Sequence, residues 1–216
     1  MPHRKPSPFR LIHASDRSVL VDFGGEISTE FDPRPSWVAA QARAIPGVLA
    51  AQPAYTSVLV KFDPSQADPE KISDALEQLG SQPPEAPSAR EHVIPVRYDG
   101  PDLADVARLT GLSESRVIAL HSEANYRVSF LGFMPGFAFL SGLPRELRAP
   151  RLSTARLKVP AGSVGIADLQ TGVYSLESPG GWRLIGSTPV ALLDWKKNPP
   201  SLLLPGDSVK FEPVSR

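Results

Sequence analysis

Proline occupies 24 of 216 positions, about 11% where roughly 5% is usual. Each proline fixes φ and removes a backbone donor, so at this density helices are short and turns many. The prolines are dispersed between apolar runs such as Val58-Leu59-Val60, which separates the chain from proline-rich disordered tracts. A folded, turn-rich protein of one or two compact domains is expected.

Lys+Arg 23 balances Asp+Glu 23, so no overall field steers the protein toward nucleic acid or an acidic membrane surface. The absence of cysteine excludes disulfides, thiolate zinc sites, cysteine-ligated iron–sulfur clusters and a cysteine nucleophile. Arg10, His13 and Asp16 interrupt any signal-peptide core, and no apolar run approaches the ~20 residues of a membrane span. A soluble cytoplasmic protein is expected.

The first third predicts an α+β unit. Phe9–His13 and Val19–Phe23 read as strands, Trp37–Ala44 as a helix, and Val48–Tyr55 with Ser57–Phe62 as a second strand pair. Asp68-Pro69 has the form of a helix start, and Ile72, Leu76 and Leu79 then recur at i, i+4 and i+7 up to Gly80. This order suits a ferredoxin-like sandwich over residues 1–82. Residues 83–90, with Pro83, Pro84 and Pro87, read as a linker.

Residues 91–216 begin with a strand, His92–Tyr98, and a helical pair, Asp102–Leu109 and Ser113–His121. Short apolar runs follow at Tyr126–Leu131, Val164–Ala167, Val173–Leu176, Trp182–Ile185, Val190–Trp195 and Val209–Phe211. Many short strands separated by Gly, Pro or Ser predict a closed or nearly closed β-barrel.

Several standard sites are absent from the sequence. It holds neither Gly-x-x-x-x-Gly-Lys-Ser/Thr nor Gly-x-Gly-x-x-Gly. Histidines 3, 13, 92 and 121 have no metal-ligand spacing, so no metal site is expected, and His121 is read as a structural helix residue. Ala161-Gly162-Ser163-Val164-Gly165 approaches a nucleophile elbow, but extended-looking residues follow the serine and every histidine precedes it. What remains is a set of glycine-containing loops: Gly132–Phe137, Val159–Ser163, Gln170–Tyr174 and Ser178–Arg183. Such loops expose N–H groups toward anions, while Gln, Thr, Tyr and Arg supply directed bonds to amides and carboxylates. Between the first two loops lie Arg145, Arg148, Arg151, Arg156 and Lys158 against one acid, Glu146. Arg156 and Arg183, beside the loops, are the better anion ligands of this set.

Phe130-Leu131-Gly132-Phe133-Met134-Pro135-Gly136-Phe137, Val159-Pro160-Ala161-Gly162-Ser163-Val164-Gly165-Ile166, Gln170-Thr171-Gly172-Val173-Tyr174, Ser178-Pro179-Gly180-Gly181-Trp182-Arg183-Leu184-Ile185-Gly186 and Leu204-Pro205-Gly206-Asp207 together resemble the family of bacterial 5-oxoprolinase B subunits. That family is also labelled after the sporulation-kinase inhibitor KipI and as allophanate hydrolase subunit 1. The resemblance implies a small α+β domain followed by a cyclophilin-like β-barrel. It also implies a cytoplasmic hydrolase subunit, inactive alone, that acts with subunits A and C to open 5-oxo-L-proline to L-glutamate. ATP would be co-substrate, with no tightly bound cofactor. A histidine-kinase inhibitor and a carboxyltransferase-like component are the alternatives under the same label.

On this reading Pro135, Gly136, Phe137, Gly162 and Ser163 contribute to a pocket for a small amide or carboxylate substrate. Gln170, Thr171 and Tyr174 orient the amide, and Arg156 or Arg183 holds carboxylate or phosphate. Two departures from the family pattern bear on the pocket. Ala167-Asp168-Leu169 stands where Ala-Gly-Gly is common, and Phe139 where a tyrosine is common.

Overall fold

The computed structural model of the chain describes residues 9–80, 82–84 and 89–215. Of the expected linker over 83–90, residues 85–88 lie outside these. Backbone contacts divide the chain into two compact units, Met1–Ile27 with Asp32–Pro87, and Ser28–Phe31 with Ser88–Arg216.

The first unit is an antiparallel sheet carrying two helices. Its strands are β1 (Arg10–Ser15), β2 (Ser18–Asp22), β3 (Val48–Pro53) and β4 (Ser57–Phe62), in the order β1-β2-β4-β3. Alternation places Val19 and Val21 of β2 beside Val58, Val60 and Phe62 of β4 on one face. Helices α1 (Arg34–Ala42) and α2 (Pro69–Gly80) bring Val38, Ala39, Ile72 and Leu76 into the same core. Proline opens both helices, where its missing N–H costs nothing. At α2 the Asp68 carboxylate accepts from the Glu70 N–H at 3.0 Å.

The second unit is a mixed α/β assembly around a nearly closed barrel. Its seven-stranded sheet comprises β5 (Glu91–Val96), β6 (Tyr126–Leu131), β7 (Ala138–Ser141), β9 (Ser163–Ala167), β10 (Gln170–Val173), β12 (Arg183–Ser187) and β13 (Ser208–Pro213). The order is β12-β9-β10-β7-β6-β13-β5, antiparallel except for β5 beside β13. Arg97, just past β5, exchanges backbone hydrogen bonds of 2.9 and 2.8 Å with Ser187 of β12, which joins the two sheet edges. A two-stranded ribbon, β8 (Arg156–Val159) with β11 (Ser178–Gly180), stands apart from the sheet. Helices α3 (Leu103–Thr110) and α4 (Glu114–Glu123) add Leu103, Val106 and Val117 to the barrel core.

The structure corrects several strand expectations. Val190–Trp195 is a loop held by a single Leu193–Ser201 bridge, because Pro189, Pro199 and Pro200 leave it no continuous ladder. The strand expected at Val173–Leu176 lies instead at Gln170–Val173. A tight turn at Asp168-Leu169 starts it early, and Ser175 leaves the ladder to bond the Pro135 carbonyl at 2.6 Å. Strands β7, β8 and β11 were hidden in the loop motifs.

Inside the barrel, His121 of α4 is fully buried and stacks on Phe211 at 4.7 Å. Its Nδ1 lies 2.8 Å from the Tyr98 hydroxyl and its Nε2 2.9 Å from Thr171 Oγ1. Thr171 donates onward to the Gly165 carbonyl at 3.0 Å, so Nε2 carries the proton and Nδ1 accepts from Tyr98. Burial pushes the His121 imidazole down to about 3. The unfolded chain therefore takes up this proton first as pH falls through about 6.5, and the folded state loses stability from there downward. Between pH 6.5 and 5, wild type should lose up to about 1.4 kcal/mol per pH unit more than His121→Gln. Urea melts at several pH values test this, and parallel pH profiles for the two proteins would contradict it.

Candidate functional site

Hairpin β9–β10 presents two different faces. Val164, Ile166 and Val173 point into the barrel core, while Ser163, Gly165 and Ala167 lie opposite Tyr174, Gly172 and Gln170 on the outer face. Small residues here leave room for a layer of rings. A side chain at Gly172 would press on the Phe137 ring, and one at Gly165 on Trp182. Phe137 meets Tyr174 at 5.5 Å, Trp182 at 5.3 Å and Phe139 at 5.0 Å, all edge to face. Phe139 stacks on Phe130 at 4.5 Å, so the missing tyrosine hydroxyl is replaced by ring packing.

The loop from Gly132 to Phe137 is pinned by its own backbone, with the Gly132 N–H donating to the Phe137 carbonyl at 3.1 Å. Gly136 has φ 75° and lies against Leu193 and Ser175, so any other residue would be strained and crowded. Phe133 also has positive φ, 67°, and is 63% exposed. Phe137 itself is buried. It supports the loop and does not form an open pocket floor.

Gly162 has φ 83°, and a Cβ there would strike the Thr188 carbonyl. Its N–H donates to Tyr174 at 2.7 Å and its carbonyl accepts from Thr188 at 2.9 Å. The Tyr174 hydroxyl is raised by burial, against the opposing effects of the Trp182 N–H and the nearby Arg151 and Arg156 cations.

The two arginines singled out in the sequence have different partners. Arg183 donates from Nε to the Pro150 carbonyl at 2.8 Å and from Nη1 to Asp105 at 3.3 Å. Arg156 donates from Nη2 to Asp102 Oδ1 at 2.7 Å, while its buried Nη1 has no partner among the described residues. Asp102 stands at the N-terminus of α3 yet does not cap it. Its other oxygen accepts from the Leu184 N–H at 2.7 Å, so one buried carboxylate ties α3, β8 and β12 together.

A cavity of about 260 Å³ opens beside this tie, with Asp99, Arg156, Lys158, Ser163 and Ser187 on its walls. It gathers Arg156 and Ser163 from the sequence-predicted residues. Gln170 lies at the other end of the outer face, four residues along β9, roughly 13 Å away. Its carboxamide has no hydrogen-bond partner among the described residues, although the residue is only 8% exposed. Thr171 faces the interior and is occupied by His121 and Gly165. Asp168 sits at φ 51° on an exposed turn, which explains the glycine common there in relatives. Asp99, Asp102 and Ser187 escaped the sequence reading because only the folded chain brings them to Arg156 and Ser163.

Comparison with known proteins agrees with this architecture. Residues 9–203 match the family model for the carboxyltransferase domain, subdomain C and D. The urea carboxylase of Kluyveromyces lactis shares the fold, with TM-score 0.74 at 22% identity over 100% of this chain and 23% of that one. The fold and its loops thus define a carboxyltransferase subdomain C and D protein. The chain is 40% identical over 224 residues to the 5-oxoprolinase B subunit of Bacillus subtilis (strain 168), covering 96% of this chain and 93% of that protein. It is 47% identical over 186 residues to the protein of that name in Escherichia coli O157:H7, covering 82% and 84%. The chain belongs to the 5-oxoprolinase B-subunit family. The solved structure of TTHA0988 superposes with TM-score 0.81 at 42% identity over 93% of this chain. This chain spans 40% of the length of that protein.

Asp102 gives a direct test of the tie. Asp102→Ala should cost about 2–4 kcal/mol in urea unfolding, since it strands the Leu184 N–H and a largely buried guanidinium. A loss below about 0.5 kcal/mol would show that the tie holds nothing.

Proposed function

We propose that the chain is the B subunit of an ATP-dependent 5-oxoprolinase that opens the lactam of 5-oxo-L-proline to L-glutamate. The observation that carries this is 40% to 47% identity to relatives of that name over most of the chain. Subunits A and C complete the enzyme, ATP is the co-substrate, the isolated chain is inactive, and the complex works in the cytoplasm. The first unit, residues 1–82, is ferredoxin-like, and the second, 91–216, is a cyclophilin-like barrel joined to it through 83–90. The antiparallel sheet with two helices and the nearly closed barrel support this grouping.

An unstrained lactam resists water. Transfer of the γ-phosphoryl group to the lactam oxygen creates a phosphate leaving group, water adds at that carbon, and the ring nitrogen takes a proton as the C–N bond breaks. Such chemistry demands positioning and charge stabilisation. Pro135, Gly136, Phe137, Gly162, Ser163 and Tyr174 would shape the site. Gln170, with its unpartnered carboxamide, would bond the amide, and Arg156 or Arg183 the anionic group. Thr171 would act from behind, through β10.

The three subunits together should hydrolyse ATP only when 5-oxo-L-proline is present, and background activity would defeat the proposal. Given that activity, Gln170→Ala and Arg183→Ala should each lower kcat/KM by about tenfold or more. Wild-type rates in both would remove these residues from the site.

A further inference from the structure

The cavity beside Asp102 is poorer in internal hydrogen bonds than its residues allow. Arg156 is held by Asp102, yet its buried Nη1 donates to nothing among the described residues. Ser163 is only 7% exposed, and its hydroxyl likewise has no partner among the described residues. Both residues line the same cavity of about 260 Å³. Lys158 stands two residues after Arg156 on β8, so the two cations share one side of that strand. Its partner is Glu177 at 3.1 Å, with side chains 71% and 55% exposed. Such an exposed pair is weak and easily exchanged for another anion. On the opposite wall Asp99 offers carboxylate oxygens, shared with Arg97 at 2.6 Å and Ser187 at 3.4 Å.

Unpartnered donors of this kind call for an anionic acceptor. A guanidinium, an ammonium and a hydroxyl together match one carboxylate. Asp99 disfavours a doubly charged phosphate on the same walls and favours a ligand that carries an N–H beside its carboxylate. We propose that this cavity is a binding site for the carboxylate and adjacent ring N–H of a small cyclic amino acid. Arg156, Lys158 and Ser163 hold the carboxylate and Asp99 accepts from the N–H. Asp102 is a positioning residue that fixes the guanidinium. That the ligand is 5-oxo-L-proline rests on the 5-oxoprolinase reading, whereas the ligand class rests on the cavity alone.

In the reconstituted complex, Arg156→Met should raise KM for 5-oxo-L-proline about tenfold or more, and Lys158→Met should raise it several-fold. Lys158→Met should leave the thermal midpoint unchanged, because its only ion pair is exposed. Arg145→Met, another exposed cation of the same segment, serves as the charge control and should leave KM unchanged. An active complex in which Arg156→Met and Lys158→Met both keep the wild-type KM overturns the cavity assignment and leaves the function intact. If the complex ignores 5-oxo-L-proline, the function reading falls, and amide and methyl NMR shifts of the purified chain decide the cavity. The probes are then 5-oxo-L-proline, 2-pyrrolidinone, which lacks the carboxylate, and inorganic phosphate. Shifts around Ser163 and Leu184 with the acid alone support the assignment. No shift, equal shifts with 2-pyrrolidinone, or shifts with phosphate alone overturn it.

Discussion

Closure of the barrel depends on two chain segments approaching at a seam where neither carries a side chain. A Cβ at Gly100 would strike the Ile185–Gly186 backbone, and a Cβ at Gly186 would come within 2.5 Å of the Arg97 carbonyl. With both positions bare, Arg97 and Ser187 exchange hydrogen bonds, the Gly100 N–H reaches Ile185 at 3.2 Å, and the Asp102 N–H reaches Leu184 at 2.9 Å. The Asp102 side chain then answers the Leu184 N–H and holds Arg156. The cavity is a product of the seam: Asp99, Gly186 and Ser187 line it because the barrel shuts there. Closure also removes two open edges that would otherwise invite pairing with other chains.

The proline density that limits helices and ladders has a second effect, which the folded chain makes visible. Proline lacks the N–H but keeps a full acceptor. The Pro135 carbonyl accepts from Ser175, that of Pro150 from Arg183, and that of Pro200 from the Asp194 N–H at 2.8 Å. Loops without a ladder are thus fastened one acceptor at a time. This explains how a segment such as 190–201 can be ordered and yet not a strand.

Legibility in the sequence followed the range of the interactions. Asp68-Pro69 and the Ile72, Leu76 spacing announced α2 because caps and periodicity are local. Strands β8 and β11 gave no such signal: Arg156–Val159 and Ser178–Gly180 are short, largely exposed and rich in glycine and charge. Their pairing is fixed by a partner some twenty residues distant. The Leu204-Pro205-Gly206-Asp207 motif stood out in the sequence without a role. Folding shows Asp207 buried, accepting from Leu204, Arg90 and His92, so the motif fastens the start of β5 to β13. Burial raises that carboxyl, but these bonds, Arg90 foremost, overcome burial and hold it below its ordinary value.

The candidate site was legible as a set of loops but not as a geometry, and Arg156 and Arg183 show why. In the sequence both are cations beside a glycine loop, with equal claims on an anion. In the folded chain Arg183 has an acceptor at Nε and another at Nη1, and its side chain is 11% exposed. An anion bound there must displace an existing acceptor. Arg156 is held by one acceptor at Nη2 and lacks a second. An anion there gains a bond without breaking one, and an unmade bond to a buried charged donor is the costlier state. Charge selected both arginines from the sequence. Only the count of satisfied donors, which long-range partners such as Asp102 and Pro150 determine, separates a guanidinium spent on structure from one still available to a ligand.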